Sequence, residues 1–285
     1  MSHSEIKNKG ERPKKTLTRR QIIKRGLLSA IGIGLVGTGW ETNQIFVTRH
    51  QVVLPGMDPS AKPFRLVQMS DLHRSAFVSE GMIRRAVALA MAEKPDVVSL
   101  TGDFVTERND YIYSCREALA DLSAPMGVWG ILGNHDYAER KQDEIKRALG
   151  AIGISLLVNT SARLENGVQL LGVDDLWCGY PDVPKTLRGV PKTAAKIGMI
   201  HNPKLADRFR DTEAVLISGH THGKQINVVG FRAITKMDLK YVSGWYTAGK
   251  SRLYVNRGIG VIGIPIRVFS PPEVTVYDFV PPTVG

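Results

Sequence analysis

Short apolar runs alternate with amphipathic stretches along the first half of this chain. The runs Phe64–Ser70, Val97–Thr101 and Val128–Leu132 have the length and β-branched content of buried strands. Between the first two, Met82, Ile83, Ala86, Val87 and Ala90 recur three and four residues apart, with Arg84 and Arg85 off that face. This spacing predicts a helix capped by Ser79 and running to about Glu93. Asp110–Leu122 and Ala138–Ile152 are further amphipathic helices, each following a strand. Strand and helix in alternation predict parallel strands covered by helices.

After Ile154 the rhythm changes. Short strands are expected at Ile154–Val158, Val168–Val173, Ile197–Ile200, Val215–Ser218, Gln225–Val229, Arg252–Asn256, Ile266–Phe269 and Val274–Phe279, with few helices between them. They read as a second, mixed sheet. The expected fold is therefore α/β, a four-layer αββα sandwich of two mixed β-sheets flanked by helices. Ahead of it come a basic stretch at 1–25, an apolar one at 26–45 and a linker at 46–62 marked by Pro55, Gly56 and Pro59. The domain proper is expected at 63–280.

Five of the apolar runs end in the same kind of residues. Asp71-Leu72-His73, Gly102-Asp103, Gly133-Asn134-His135-Asp136, His201-Asn202 and Gly219-His220-Thr221-His222 each follow a strand-like run directly. Any one of these blocks alone is an ordinary turn. Together, at the C-terminal edge of a sheet, they gather imidazole, carboxylate and amide, the ligand set of a first-row metal site. Those donors suit Mn, Fe, Zn or Ni alike.

The formal net charge of +11 suggests a polyanion as partner until the charge is located. Residues 1–25 hold nine basic side chains against two acidic ones, and the remaining 260 residues hold 29 against 25. The body is thus mildly basic, which suits a phosphate-bearing substrate. It shows no aromatic-basic strip, so no nucleic acid is expected as partner. Thr18-Arg19-Arg20-Gln21-Ile22-Ile23-Lys24 resembles the twin-arginine export motif, with Ile22 where Phe is usual. The apolar stretch Gly26–Trp40 would span about 22 Å as a helix, short of a roughly 30 Å hydrocarbon core. A signal segment read by the twin-arginine export machinery fits this better than a stable anchor, and a basic membrane anchor is the alternative. The protein is accordingly expected outside the cytoplasm, periplasmic or membrane-associated. Cys115 and Cys178 are too few for a disulfide framework and read as small apolar residues.

The set of blocks resembles the calcineurin-like metallophosphoesterases, whose pattern is D-x-H, G-D, G-N-H-D/E, H and G-H-x-H. The resemblance covers roughly Phe64 to Phe279. Ser-Asp-Leu-His, Gly-His-Thr-His and the late Asn256-Arg257-Gly258-Ile259-Gly260 look like its exported bacterial branch. That branch implies a phosphate-ester substrate that is small, lipid-linked or nucleotide-linked. The resemblance further implies two divalent metal ions. Asp71, His73 and His222 would hold one, Asn134, His201 and His220 the other, and Asp103 would bridge them. A carboxylate has two oxygens and can span ions about 3.5–4 Å apart, and such ions make a bridging hydroxide available near neutral pH. His135 has no ligand role in the pattern, so it is assigned to protonating the leaving oxygen or stabilising the phosphoryl transition state. Asp136 either orients His135 or caps the next helix.

Thr106 stands where the protein Ser/Thr phosphatases carry the Asp that pairs with the catalytic histidine, which argues against that activity. Arg74 and Lys224 are candidate contacts to substrate phosphate, and Trp177 a candidate cleft residue. Gly219 is expected to let the histidine segment turn. The leading expectation is a phosphodiesterase or pyrophosphatase. A phosphomonoesterase is the alternative, and a non-catalytic metal-binding module a third.

Overall fold

The computed structural model describes residues 42–106, 111–140, 142–227 and 240–283. The basic stretch 1–25 lies outside the described residues, as does the apolar stretch 26–45 but for its last four. In the first sheet, β1 (Phe46–Val53), β12 (Glu273–Val280), β2 (Phe64–Met69), β3 (Val97–Leu100), β4 (Val128–Gly130) and β5 (Ile154–Leu156) lie side by side in that order. Strands β2 to β5 are parallel, and β12 runs antiparallel to β2 but parallel to β1. The second sheet has the order β10 (Gly244–Ala248), β11 (Ser251–Val255), β9 (Val215–Ser218), β8 (Lys196–Met199), β7 (Gln169–Gly172) and β6 (Thr160–Arg163). Its four central strands are parallel, and antiparallel strands close both edges.

Side-chain alternation stacks these sheets. In β2, Leu66 points into the apolar layer between the sheets with Ile197, Ile217 and Phe279, while Val67 points into the helix-side layer with Ile83, Val87 and Leu119. In the second sheet, Leu170 joins the central layer and Leu171 packs outward with Leu205, Phe209 and Leu216. Three apolar layers separate four structural ones, so the αββα sandwich stands as expected. Helix α1 (Glu80–Ala92) buries Met82, Ile83, Ala86, Val87 and Ala90. Ser79 caps it, its side chain accepting the Met82 N–H at 3.2 Å. Helices α2 (Ile112–Leu119) and α3 (Gln142–Gly150) complete that layer. The opposite layer is thin, a four-residue helix α4 (Val183–Thr186) and a 3-10 turn at Pro203–Phe209.

Several expected boundaries change. The linker expected at 46–62 is a strand over its first eight residues, so the domain begins before residue 63. The runs expected at Ile154–Val158 and Val274–Phe279 lie in the first sheet, as β5 and β12, not in the second. Ile266–Phe269 and the described part of Gln225–Val229 are not strands but meet in one parallel bridge, Ile226 to Val268. Strands β6 and β10 were not anticipated.

Candidate metal centre

Parallel strands end on a common edge, and that edge is where the polar blocks gather. β2 leads to Asp71 and His73, β3 to Asp103, β4 to Asn134 and His135, β8 to His201, and β9 to His220 and His222. The loops are cross-tied by backbone bonds, including Asp71 N to Gly102 O at 3.0 Å and Gly219 N to His201 O at 3.2 Å. Asp71, His73, Asp103, His220 and His222 all have positive φ, between 46° and 73°. For residues with a Cβ this costs on the order of 1–3 kcal/mol each, and such strain persists where surrounding structure fixes it for function. The chain turns sharply at the ligands themselves to bring their side chains inward. Gly219 is not the turning residue expected of it. It is needed because a Cβ there would stand 2.0 Å from Ser70 Oγ and 2.1 Å from Asp71 Oδ2.

The inward side chains are buried, and their donor atoms face one another. His73 Nε2 lies 3.0 Å from His222 Nε2, and His222 Nε2 lies 3.4 Å from Asp71 Oδ1. On the other side, His201 Nε2 is 3.2 Å from both Asn134 Oδ1 and His220 Nδ1. Asp103 sits between the groups, its Oδ2 3.4 Å from His73 Nε2 and 3.2 Å from His201 Nε2. That oxygen is fully buried without a hydrogen-bond partner, while Oδ1 accepts the His135 N–H at 2.8 Å. All seven expected ligands are thus brought together. An orphaned carboxylate oxygen flanked by imidazole nitrogens is costly in a core and apt for a cation.

Electrostatics agree. Burial pushes the Asp71 carboxyl up to about 6. Burial also lowers the imidazoles of His73 and His220 to about 3, leaving them neutral with lone pairs to give. Burial works against a charged Asp103, yet the His201 imidazole beside it holds its carboxyl well below the usual range. His201 is in turn raised by Asp103 against its own burial. The protein alone therefore needs a proton on His201 to balance Asp103. A divalent cation does the same work without the proton.

The ligands are fixed from behind. His201 Nδ1 meets the Thr101 carbonyl at 2.7 Å, and His73 Nδ1 meets Thr106 Oγ1 at 2.6 Å, leaving each Nε2 for the centre. Asn202 Nδ2 lies 3.1 Å from His220 Nε2, and the buried Arg267 guanidinium 3.3 Å from His222 Nδ1. Thr106, noted only as the absence of an Asp, thus orients a ligand. Nothing in the sequence marked Arg267, whose position emerges from a loop closing over the histidine turn.

The remaining candidates divide. His135 is half-buried, with its ring edge-on to His73 at 4.9 Å between centroids, and its side chain groups with His73 and Asp103. Asp136 does not orient it. Its carboxylate accepts N–H groups from Asp103, Phe104 and Gly133 at 2.8–2.9 Å, pinning the β3 and β4 loops together. The Arg74 guanidinium donates through Nη1 to the carbonyls of Ser75 and Val78 and lies over the face of Tyr111, with Nε buried and without a partner, an orientation that does not favour the phosphate contact expected of it. Lys224 is half-buried on the turn after His222, with φ 70°. Trp177 follows β7 on the same edge, 53% exposed and edge-on to His220 at 4.3 Å.

Donors of this kind, drawn from both sheets of an αββα sandwich, place the protein among the metal-dependent hydrolases in class. The family description "calcineurin-like phosphoesterase" matches residues 64–224. Over 280 residues the chain is 29% identical to the metallophosphoesterase YkuE of Bacillus subtilis, covering 92% of this chain and 98% of that one. It is 31% identical over 241 residues to the phosphodiesterase YaeI of Escherichia coli, covering 81% and 87%. The chain belongs to the calcineurin-like phosphoesterase family and is a phosphoester hydrolase.

Proposed function

We propose that this protein cleaves phosphodiester or diphosphate bonds of a small or lipid-linked phosphate ester, using two divalent ions (Mn, Fe, Zn or Ni). The observation that carries the reading is the buried, partnerless Asp103 Oδ2 lying between His73 and His201. Asp71, His73 and His222 would hold one ion, Asn134, His201 and His220 the other, with Asp103 common to both. When bound, such ions supply a hydroxide at neutral pH and neutralise charge on the phosphoryl oxygens.

The chain's own groups do the rest. Asp103 and Asp71 set the charge of the site, and the amide of Asn134 limits it so that a phosphate anion can enter. Thr101 and Thr106 hold the His201 and His73 rings in position. His135 stands beside His73, their ring centroids 4.9 Å apart, and delivers a proton to the departing oxygen. Trp177 covers one side of the entrance against an apolar or planar substituent. A diester fits this site better than a monoester, because Arg74 is engaged elsewhere and a dianionic end group would lack a fork of guanidinium donors. The Escherichia coli relative YaeI is a phosphodiesterase, which points the same way.

The test is metal analysis of the purified protein with a hydrolysis screen over mono-, di- and pyrophosphate esters. Asp103→Asn keeps the size and removes the shared charge. At least one metal equivalent should be lost and turnover should fall by several orders of magnitude. Retention of both metals with near-normal turnover overturns the shared-ligand reading.

We further propose export by the twin-arginine machinery, supported by Arg19-Arg20 and the apolar stretch behind them. No described helix is long and apolar enough to cross a membrane. Replacing both arginines by lysine preserves charge and should hold the protein in the cytoplasm. Unchanged export on fractionation would reduce the segment to a basic membrane anchor.

A further inference from the structure

Among the described residues, eight large apolar side chains are strongly exposed, and three lie on segments tied to one another beside the metal centre. Phe269 is 74% exposed, Ile264 45% and Phe46 40%. Ile264 and Phe269 flank Gln225, whose side chain donates to the carbonyls of Ile262 and Ile264 and whose backbone carbonyl accepts the Val268 N–H. Gln225 is three residues after His222, and Ser270, next to Phe269, donates to the His222 carbonyl at 2.6 Å. Phe46 joins the group through its N–H, which donates to the Pro272 carbonyl at 2.8 Å.

Topology puts this patch on the reacting edge. β12 runs antiparallel to β2 and β1 parallel to β12, so β1 starts at the edge where β2 delivers Asp71 and His73. Thr42, four residues earlier, accepts the Arg267 N–H at 2.9 Å. The sequence before Thr42 is apolar from Gly26 to Trp40, and residues 1–25 add nine basic side chains. From Arg257 to Pro272 there is no carboxylate; Arg257 itself lies 3.4 Å from the Glu273 carboxylate, and Lys224, two residues after His222, is the basic side chain next to Gln225. Single exposed apolar residues are ordinary, but a group beside a ligand-bearing loop marks an interaction site.

We infer that the metal-centre edge docks on an anionic lipid bilayer through Phe46, Ile264 and Phe269. The apolar side chains enter the headgroup–acyl boundary, and the basic groups meet anionic headgroups. The described chain begins at Thr42 on this edge, and the sequence ahead of it is apolar and then basic, a pattern that favours a bilayer over a soluble protein partner. The docking surface holds whichever ester is cleaved, so its failure leaves the hydrolytic reading intact.

The test uses the full chain with Mn and vesicles of phosphatidylglycerol and phosphatidylcholine. In a Cys178→Ser background, a nitroxide is attached at Phe269→Cys or, on the opposite edge before β4, at Ser123→Cys. On vesicles, the label at 269 should gain collisions with oxygen and lose them with an aqueous nickel chelate, while the label at 123 changes in neither. A label at 269 that stays as open to the chelate as the one at 123, or a chain that does not sediment with anionic vesicles, overturns the inference. Ile264→Asp with Phe269→Asp should weaken vesicle partitioning at least tenfold and leave hydrolysis of a soluble nitrophenyl ester within twofold. Unchanged partitioning of that pair assigns attachment to the N-terminal segment alone and also overturns it.

Discussion

Thr106 illustrates how much of a metal site lies behind its ligands. Its hydroxyl, 2.6 Å from His73 Nδ1, fixes one ring against rotation. Removing such a partner costs about 10–100-fold in metal affinity or activity. Thr106→Val should therefore raise the metal dissociation constant by that factor in a chelator competition, with kcat of the fully loaded enzyme little changed. His135→Ala should behave in the opposite way. Metal content should stay intact while kcat falls by roughly 10²–10⁴, with a smaller loss for nitrophenyl esters, whose leaving group needs little protonation. Loss of metal from that variant would instead make His135 a ligand, which its grouping with His73 and Asp103 allows geometrically. The seven expected ligands were legible because each ends an apolar run, and apolar runs are what a sequence displays best. Thr106 and Asn202 were not legible as orienting groups, because each acts on a ring from a different strand end. The left-handed turns at Asp71, His73, Asp103, His220 and His222 left no trace either, since none of them is a glycine.

At the scale of elements, the strands that escaped sequence reading share one property. β1, β6 and β10 are three of the four edge strands of the two sheets. Edge strands meet water along one side, so their residues are mixed and half-buried, as in Thr160–Arg163, and present no continuous apolar run. The central strands β2, β3, β8 and β9, nearly all buried, were found close to their true limits. The loop from Asn256 to Ser270 was misread for a different reason: its order comes from a buried cation. Arg267 donates to the carbonyls of Arg257, Gly258, Gly260 and Ser270, tying that loop beneath the histidine turn. Arg267→Lys keeps the charge but cannot satisfy the same fork of acceptors. It should lower stability by at least about 3 kcal/mol, given roughly 1.5–3 kcal/mol per hydrogen bond to a charged group. A shift in the urea midpoint measures this, and an unchanged midpoint would show that water replaces the guanidinium.

For the molecule as a whole, the centre is also a clasp. Asp71, His73, Asp103 and Asn134 come from the first sheet, and His201, His220 and His222 from the second. Ligands bound there join the two sheets in the folded state only. Chelation should therefore lower Tm, by the equivalent of about 2.7 kcal/mol when free metal stood at 100 times its dissociation constant. Loading should also depend on pH. Asp71, raised to about 6 by burial, and His201, raised by Asp103, must both surrender protons to bind a cation. Affinity should fall as pH drops through about 6, and loading at pH 7 should release protons measurable in a weak buffer. A proton-silent titration would show that the metal-free cluster already holds its charge some other way. The pairing of β1 with β12 has a practical consequence as well. The two strands run in the same direction, so β12 carries the chain from the reacting edge to Val280 at the opposite end. A fluorophore, affinity handle or surface tether joined after Val280 leaves the catalytic mouth clear, whereas the same attachment ahead of Phe46 sits against it.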